Sequence, residues 1–134
     1  YCSPHVDIIY IVNVTGERGA RQVESNIRDI KLSMLELVDN LISRIDSIVS
    51  MFHNQQEVEA NERLAFLAED ILVLAESASV LKEYYPAFDL DELNEKLQNM
   101  TEQMASADVL YLADVLTFEL RPLFEYWSEQ LQDA

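Results

Sequence analysis

The chain has 134 residues and a formal net charge of −16, from 25 acidic and nine basic side chains. Hydrophobic residues make up 49% of it, with only two glycines and three prolines, which excludes disordered, collagen-like and many-stranded sandwich proteins. The charge also argues against binding nucleic acid through a basic surface, because phosphates would be repelled. What remains is a soluble, acidic, mostly helical single domain over residues 1–134.

A cytoplasmic protein that does not associate with membranes is expected. Cys2 is the only cysteine, so no internal disulfide can form, which fits a reducing compartment. The longest apolar run, residues 8–12, falls far short of the roughly 20 residues that a membrane helix needs.

Residues 6–14 have the alternating pattern of a β-strand, with β-branched or aromatic side chains along one face. The strand ends in residues 15–19, which hold both glycines. A strand needs a partner for its backbone N–H and C=O groups. We expect that partner to be residues 27–32 or the same edge of a second chain, which would make a homodimer.

Two interpretations fit the next segment. Apolar residues recur at helical spacing, so a single helix over residues 20–53 is one of them. The other is a short helix over 20–26, a second strand over 27–32 and a new helix from Ser33, which has capping-box spacing with Glu36. We prefer the break at Ser33, because it gives the first strand a partner.

The remaining chain has strong 3-4 apolar spacing and predicts helices that end near residue 53, run over about 57–84 and 89–104, and begin again near 106. The first has an apolar stripe wide enough to be buried on two sides. The third has a narrow stripe, so one face should contact the core.

Polar residues predict where the later helices begin. Asp89 or Asp91 is expected to cap the third helix and Ser106 to open the last. Pro122 lies inside the last helix, where it removes a backbone hydrogen bond. It predicts a kink, or a short final helix with Pro122 in its first turn.

The expected fold is therefore mostly α, and α+β overall. Short connections predict an up-down antiparallel helical bundle over residues 33–134, with a short β element in residues 1–32. Residues 1–31 carry four bases and four acids, so the whole net charge belongs to the helical part. That charge is typical of a solvated surface, of a face for a basic protein partner, or of an acidic mimic of nucleic acid.

A turn with two nearby arginines joins the predicted strand to the next helix. Gly16, Arg18, Gly19 and Arg21 could bind a phosphate or carboxylate through backbone N–H groups and guanidiniums, as an anion- or nucleotide-handling enzyme would. The sequence lacks the Gly-Lys-Ser/Thr of a Walker loop and the three glycines of the dinucleotide fingerprint. A plain turn is the other interpretation.

No metal, cofactor or catalytic residue is predicted. The two histidines, His5 and His53, form no Glu-x-x-His pair, and residues 89–92 begin like a calcium loop but lack its glycine and distal glutamate. Cys2 and His5 lie too close to the start of the sequence to form a well-held catalytic pair.

Eight of the twelve aromatic residues fall in residues 84–88 and in the last helix. Phe124 and Trp127 continue the core stripe, whereas others lie off it. Those others are expected either to pack at the edge of the core or to form an exposed apolar patch of the kind found at protein interfaces. The candidate partner-binding residues are Tyr84, Tyr85, Phe118 and Tyr126.

The tail Tyr-Leu-Ala-Asp-Val-Leu-Thr-Phe-Glu-Leu-Arg-Pro-Leu-Phe-Glu-Tyr-Trp, residues 111–127, resembles the ends of small, acidic, uncharacterised bacterial proteins. Size, acidity and amphipathic helices are also similar to those of bacterial secretion and flagellar export chaperones. These resemblances imply a bacterial cytoplasmic setting and no specific activity. Our hypothesis is a non-enzymatic protein-binding, adaptor or chaperone-like protein.

Overall fold

The computed structural model describes residues 20–86, 88–106 and 108–133, and within these ranges the side chains of residues 26–132. Within these ranges the chain is helical and contains no strand, which confirms the mostly α prediction. The strand predicted over residues 6–14 lies outside them. The described residues form four helices: α1 (Ala20–His53), α2 (Glu57–Leu81), α3 (Leu90–Met104) and α4. Helix α4 is a continuous run of Val109–Val115, a π-helical turn at Leu116–Leu120, and Arg121–Asp133.

The predicted break at Ser33 is wrong, and the single helix over residues 20–53 is confirmed. Ile30 and Met34, four residues apart, are both fully buried, so contact with the core continues across the expected break. Residues 27–32 are bonded within the helix and are not a strand partner. The capping-box spacing of Ser33 and Glu36 therefore has no role in starting a helix. With 34 residues, α1 is about 50 Å long.

Helix α1 is buried on two sides, as its wide apolar stripe predicts. It packs against α2 and against α4, and these helices share one hydrophobic core with α3. Each fully buried aliphatic side chain in such a core contributes roughly 1.5–3 kcal/mol. The α1 residues in this core are Ile30, Met34, Leu37, Val38, Leu41, Ile45, Ile48 and Phe52.

A Schellman turn ends α1. The Gln56 N–H donates to the Met51 carbonyl at 2.9 Å, and the Gln55 N–H donates to the Phe52 carbonyl at 3.3 Å. Gln55 has φ 64°, in the left-handed region that glycine occupies more easily. The turn leaves only three residues between α1 and α2, so the two helices lie side by side.

Two polar contacts between α1 and α4 show how these helices run relative to each other. Arg121 Nε and Nη2 donate to the two carboxylate oxygens of Asp46, at 2.8 and 3.2 Å. Ser128 Oγ donates to Asp39 Oδ1 at 2.8 Å. Because the later residue of α4 meets the earlier residue of α1, the helices are antiparallel.

Aspartates cap α3 and α4. Asp89 accepts a hydrogen bond from the Glu92 N–H at 3.1 Å, so Asp89 rather than Asp91 is the cap of α3. The expectation that Ser106 opens α4 is wrong, because Asp108 accepts from the Tyr111 N–H at 3.0 Å and the helix begins one residue later. An aspartate is among the preferred N-cap residues.

The π turn of α4 ends two residues before Pro122. Arg121 N–H donates to the Leu116 carbonyl, five residues back instead of four. Proline has no N–H to donate and its ring crowds the carbonyl four residues before it, so a wider turn removes the conflict. Pro122 lies in the first turn of the final helical segment, Arg121–Asp133, as predicted, but this segment continues from the π turn and is not a separate helix.

Candidate functional site

A groove lies between α3 and α4, beside the π turn. It encloses about 290 Å³. Helix α3 contributes two charged side chains, and α4 contributes a third charged side chain, two aromatic rings, a proline and a leucine. The lining residues are Glu92, Lys96, Phe118, Glu119, Pro122, Leu123 and Tyr126.

Two exposed aromatic rings border this groove. Phe118 is 71% exposed and belongs to the π turn, while Tyr126 is 45% exposed and lies two helical turns later. Pro122 lies midway between them in the sequence and also lines the groove. Two of the four predicted partner-binding residues are thus brought together at one surface.

The other two predicted residues are placed elsewhere. Tyr84 is exposed in the turn after α2, and Tyr85 is half-buried against the core. The Tyr85 ring lies 5.9 Å from that of Phe88, whose own ring lies 5.0 Å from Trp127. Neither Tyr84 nor Tyr85 lines the groove. Because its ring contacts Phe88 and the core, Tyr85 packs at the edge of the core.

The groove has an acidic balance. Asn99 Nδ2 donates to Glu119 Oε2 at 3.0 Å, which ties α3 to the π turn. Lys96 Nζ lies 4.0 Å from a carboxylate oxygen of Glu92, one turn earlier on α3. Two carboxylates and one ammonium leave one negative charge at the wall of the groove. An apolar side chain with a basic neighbour suits such a surface.

Arg121 holds α4, which forms one wall of the groove, against α1. Besides Asp46 it also pairs with Glu125, one turn further along α4. The hydrogen bond to Asp46 raises the pKa of Arg121 above its ordinary value, and the charges of both carboxylates act in the same direction. The guanidinium therefore stays charged, and α4 is held against α1 next to the groove.

A second cavity of about 290 Å³ lies between α1 and α2. Arg44 Nη1 donates to Asp70 at 2.7 Å and to Asn40 at 3.2 Å, and Arg63 pairs with Glu59 at 3.1 Å. Because each guanidinium already faces a carboxylate, the cavity has no excess positive charge for an anion. Its lining residues are Arg44, Ser47, Ile48, Arg63 and Phe66.

The predicted anion site lies almost wholly outside the described residues. Gly16, Arg18 and Gly19 precede them, and Arg21 belongs to the first turn of α1. Within the described ranges, no three His, Cys, Asp or Glu side chains are grouped as a metal ion would need. The acidic residues of these ranges are spread over all four helices.

Sequence reasoning missed the polar wall of the groove. Glu92 and Lys96 have an i, i+4 spacing that is common on any solvated helix, so the pattern alone gives no sign of a site. Glu119 is separated by twenty residues from its partner Asn99. The available signal was Pro122, which marks an irregular turn next to two aromatics that lie off the core stripe.

A family model described as "Domain of unknown function (DUF8042)" matches residues 29–130. The chain belongs to this family. The DUF8042 match begins within α1 and ends within α4, so it contains both walls of the groove and the π turn. Comparison with curated proteins and with solved structures gives no match. Among the described residues, no helix combines the length and apolar character needed to cross a membrane.

Proposed function

We propose that this protein is a non-enzymatic protein-binding module whose groove between α3 and α4 binds an apolar side chain of its partner. The observation that carries the proposal is Phe118, a ring that is 71% exposed on the π turn at the groove. Removing apolar surface from water stabilises a complex by about 25 cal/mol per Å². A phenylalanine ring also has no group that could take part in acid-base or nucleophilic chemistry.

The surroundings of Phe118 support the same function. Tyrosine and phenylalanine are enriched in protein interfaces, and π turns are frequent at functional sites. A volume of about 290 Å³ suits one or two side chains of a bound segment. The acidic balance from Glu92 and Glu119 favours a partner in which a lysine or arginine lies next to the apolar residue.

The wider setting is part of the proposal. We infer a bacterial cytoplasmic adaptor or chaperone-like protein from the resemblances of the tail, and an up-down bundle as the scaffold that presents the groove. The homodimer depends on the strand predicted over residues 6–14, outside the described residues. Light scattering at micromolar concentration tests it, and a mass of one chain would remove the dimer from the proposal.

Selection from a random peptide library on the full chain tests the groove. The variant Phe118→Ser/Tyr126→Ser removes both exposed rings without touching a buried side chain. Tyr84→Ser, an exposed aromatic outside the groove, is the matched control. We expect the selected peptides to contain an aromatic or large aliphatic residue next to Lys or Arg, and to bind wild type and Tyr84→Ser equally.

The groove variant should lose most of this binding, by about tenfold or more, because the centre of an interface supplies most of its affinity. Circular dichroism and thermal melting show whether the variant is folded. Peptides that bind a folded Phe118→Ser/Tyr126→Ser variant as tightly as wild type would contradict the assignment of the groove.

A further inference from the structure

The outer face of α2 carries apolar side chains that the core does not use. Helix α2 packs against α1 and α3. Within the described part of the chain, Val58 is 77% exposed and Leu72 is 54% exposed. Ala65, also exposed, lies between them, so the three residues form a row at intervals of seven. We call this row of Val58, Ala65 and Leu72 the outer apolar row.

Three exposed glutamates follow the outer apolar row along the helix. Glu62, Glu69 and Glu76 each lie four residues after one of its members. Residues four apart are neighbours on a helix surface, so the two rows run side by side. Members of each row are about 10.5 Å apart at a rise of 1.5 Å per residue.

This pairing of rows is one half of a helix–helix contact. Apolar residues that repeat every seven positions supply one of the two seam positions of a coiled coil, and charges at the same interval flank such a seam. The inner stripe of α2 already packs in the core through residues such as Leu64, Ile71 and Leu74. The outer apolar row is therefore a second apolar face of the helix and a candidate contact surface.

We propose that the outer face of α2 docks a basic amphipathic helix of a protein partner. Lysine or arginine side chains spaced seven residues apart on that helix would meet Glu62, Glu69 and Glu76 while its apolar residues cover the outer apolar row. A second copy of this chain is the poorer fit, because an antiparallel α2 pair would place one glutamate row against the same row of its neighbour. The inference rests on a protein-binding function but uses a surface separate from the groove.

A designed peptide tests this surface on the full chain. It has about three heptads, with leucine at the two seam positions and lysine at the flanking positions. Two control peptides carry glutamate in place of lysine, or the same residues in scrambled order. Fluorescence anisotropy measures binding, and we expect the lysine peptide alone to bind.

The chain offers a matched pair of variants. Glu69→Lys/Glu76→Lys reverses two charges of the glutamate row on α2. Glu95→Lys/Glu102→Lys reverses two exposed glutamates of α3 that are also seven apart, but four residues before each of them lies a polar side chain, Asp91 or Gln98. Both variants change the net charge equally.

We expect the α2 variant to weaken peptide binding by about tenfold or more, because its charges would contact the peptide directly. The α3 variant should weaken binding by no more than about threefold, because its charges would act on the peptide only from a distance, where salt screens them. Leu72→Ser should weaken it as well, without unfolding the chain, since this side chain is exposed. Amide shifts of the labelled protein should change mainly along α2.

Three results would overturn the proposal: no binding of the lysine peptide, equal losses in the α2 and α3 variants, or equal binding of the scrambled peptide. Each would mean that the attraction is absent or depends on net charge alone. The groove variant Phe118→Ser/Tyr126→Ser should bind the lysine peptide normally. A failure of this proposal is therefore distinguishable from a failure of the groove.

Discussion

Helix α4 presents two aromatic faces to different surroundings. On its inner face Phe124 and Trp127 are fully buried in the core. On its outer face Phe118 and Tyr126 border the groove and remain largely exposed. Tyr126 and Trp127 are neighbours in the sequence, yet a step of about 100° around the helix separates water from the core.

This contrast teaches that position, more than residue type, separates stability from binding on this helix. The inner side is closed by packing and by two polar contacts to α1, from Arg121 and Ser128. On the outer side, the rings of Phe118 and Tyr126 remain exposed at the groove. Substitutions on the inner side should therefore change the free energy of unfolding, and those on the outer side should change binding.

The largest expected effect comes from Trp127→Ala. Truncating a fully buried aromatic side chain leaves a cavity and lowers the free energy of unfolding by about 3–5 kcal/mol. Tyr126→Ala, its exposed neighbour, should lower it by less than about 1 kcal/mol. Urea unfolding followed by circular dichroism measures both values.

If Trp127→Ala leaves too little folded protein to measure, Trp127→Phe can replace it, because phenylalanine keeps most of the side-chain volume. The free energy of unfolding of Trp127→Phe should lie between those of wild type and Trp127→Ala. Equal losses of unfolding free energy for Trp127→Ala and Tyr126→Ala would contradict the proposed difference between the two faces of α4, because both faces would then contribute alike to stability.

A smaller effect is expected from Ser128→Ala. It removes the hydrogen bond that Ser128 donates to Asp39 and the one that it accepts from Gln132. A typical hydrogen bond contributes about 1 kcal/mol, and the better helix propensity of alanine partly offsets the loss. A net loss of about 0.5–1 kcal/mol should result. The control is Ser79→Ala on α2, an exposed serine whose hydroxyl donates to the Glu76 carbonyl of its own helix. It gains the same helix propensity and should not lose stability. A Ser128→Ala variant as stable as wild type would mean that the hydrogen bonds of Ser128 contribute no more than the helix propensity that alanine gains.

The smallest effect concerns pH. Replacing Arg121 should leave the pH dependence of the melting temperature unchanged around neutral pH. Since its folded pKa is raised, the contribution of Arg121 is complete below the ordinary arginine pKa and disappears only when the pH rises through the folded value. Arg121→Gln should therefore differ from wild type in melting temperature by a constant amount between about pH 6 and pH 10. A difference that shrinks within this window would show that a group other than Arg121 titrates at the contact.

Much of the helical framework could be predicted because a helix with one buried face has apolar residues at intervals of three and four in its sequence. The 3-4 spacing predicted α2, α3 and α4, and the aspartate before α3 marked its start. The same reasoning failed at Ser33, since serine and glutamate three residues apart look alike at a helix start and inside a helix. Only the packing of Ile30 and Met34 against the core decides between the two.

The candidate site was predictable in part for a similar reason. Phe118 and Tyr126 lie off the core stripe, which the sequence displays directly. Glu92 and Lys96 belong to another helix, and their place beside these rings depends on how α3 packs against α4. A local pattern carries no information on that contact, because it joins residues that are far apart in the chain.

The π turn also sets the phase of α4. Leu112, Leu116, Leu120 and Phe124 follow one another at intervals of four, and all are buried. In an unbroken α-helix, three such steps would rotate the last side chain about 120° away from the first. The π turn accommodates one additional residue, which takes up about 100° of that rotation. The same turn that leaves Phe118 in water therefore keeps Phe124 in line with the core.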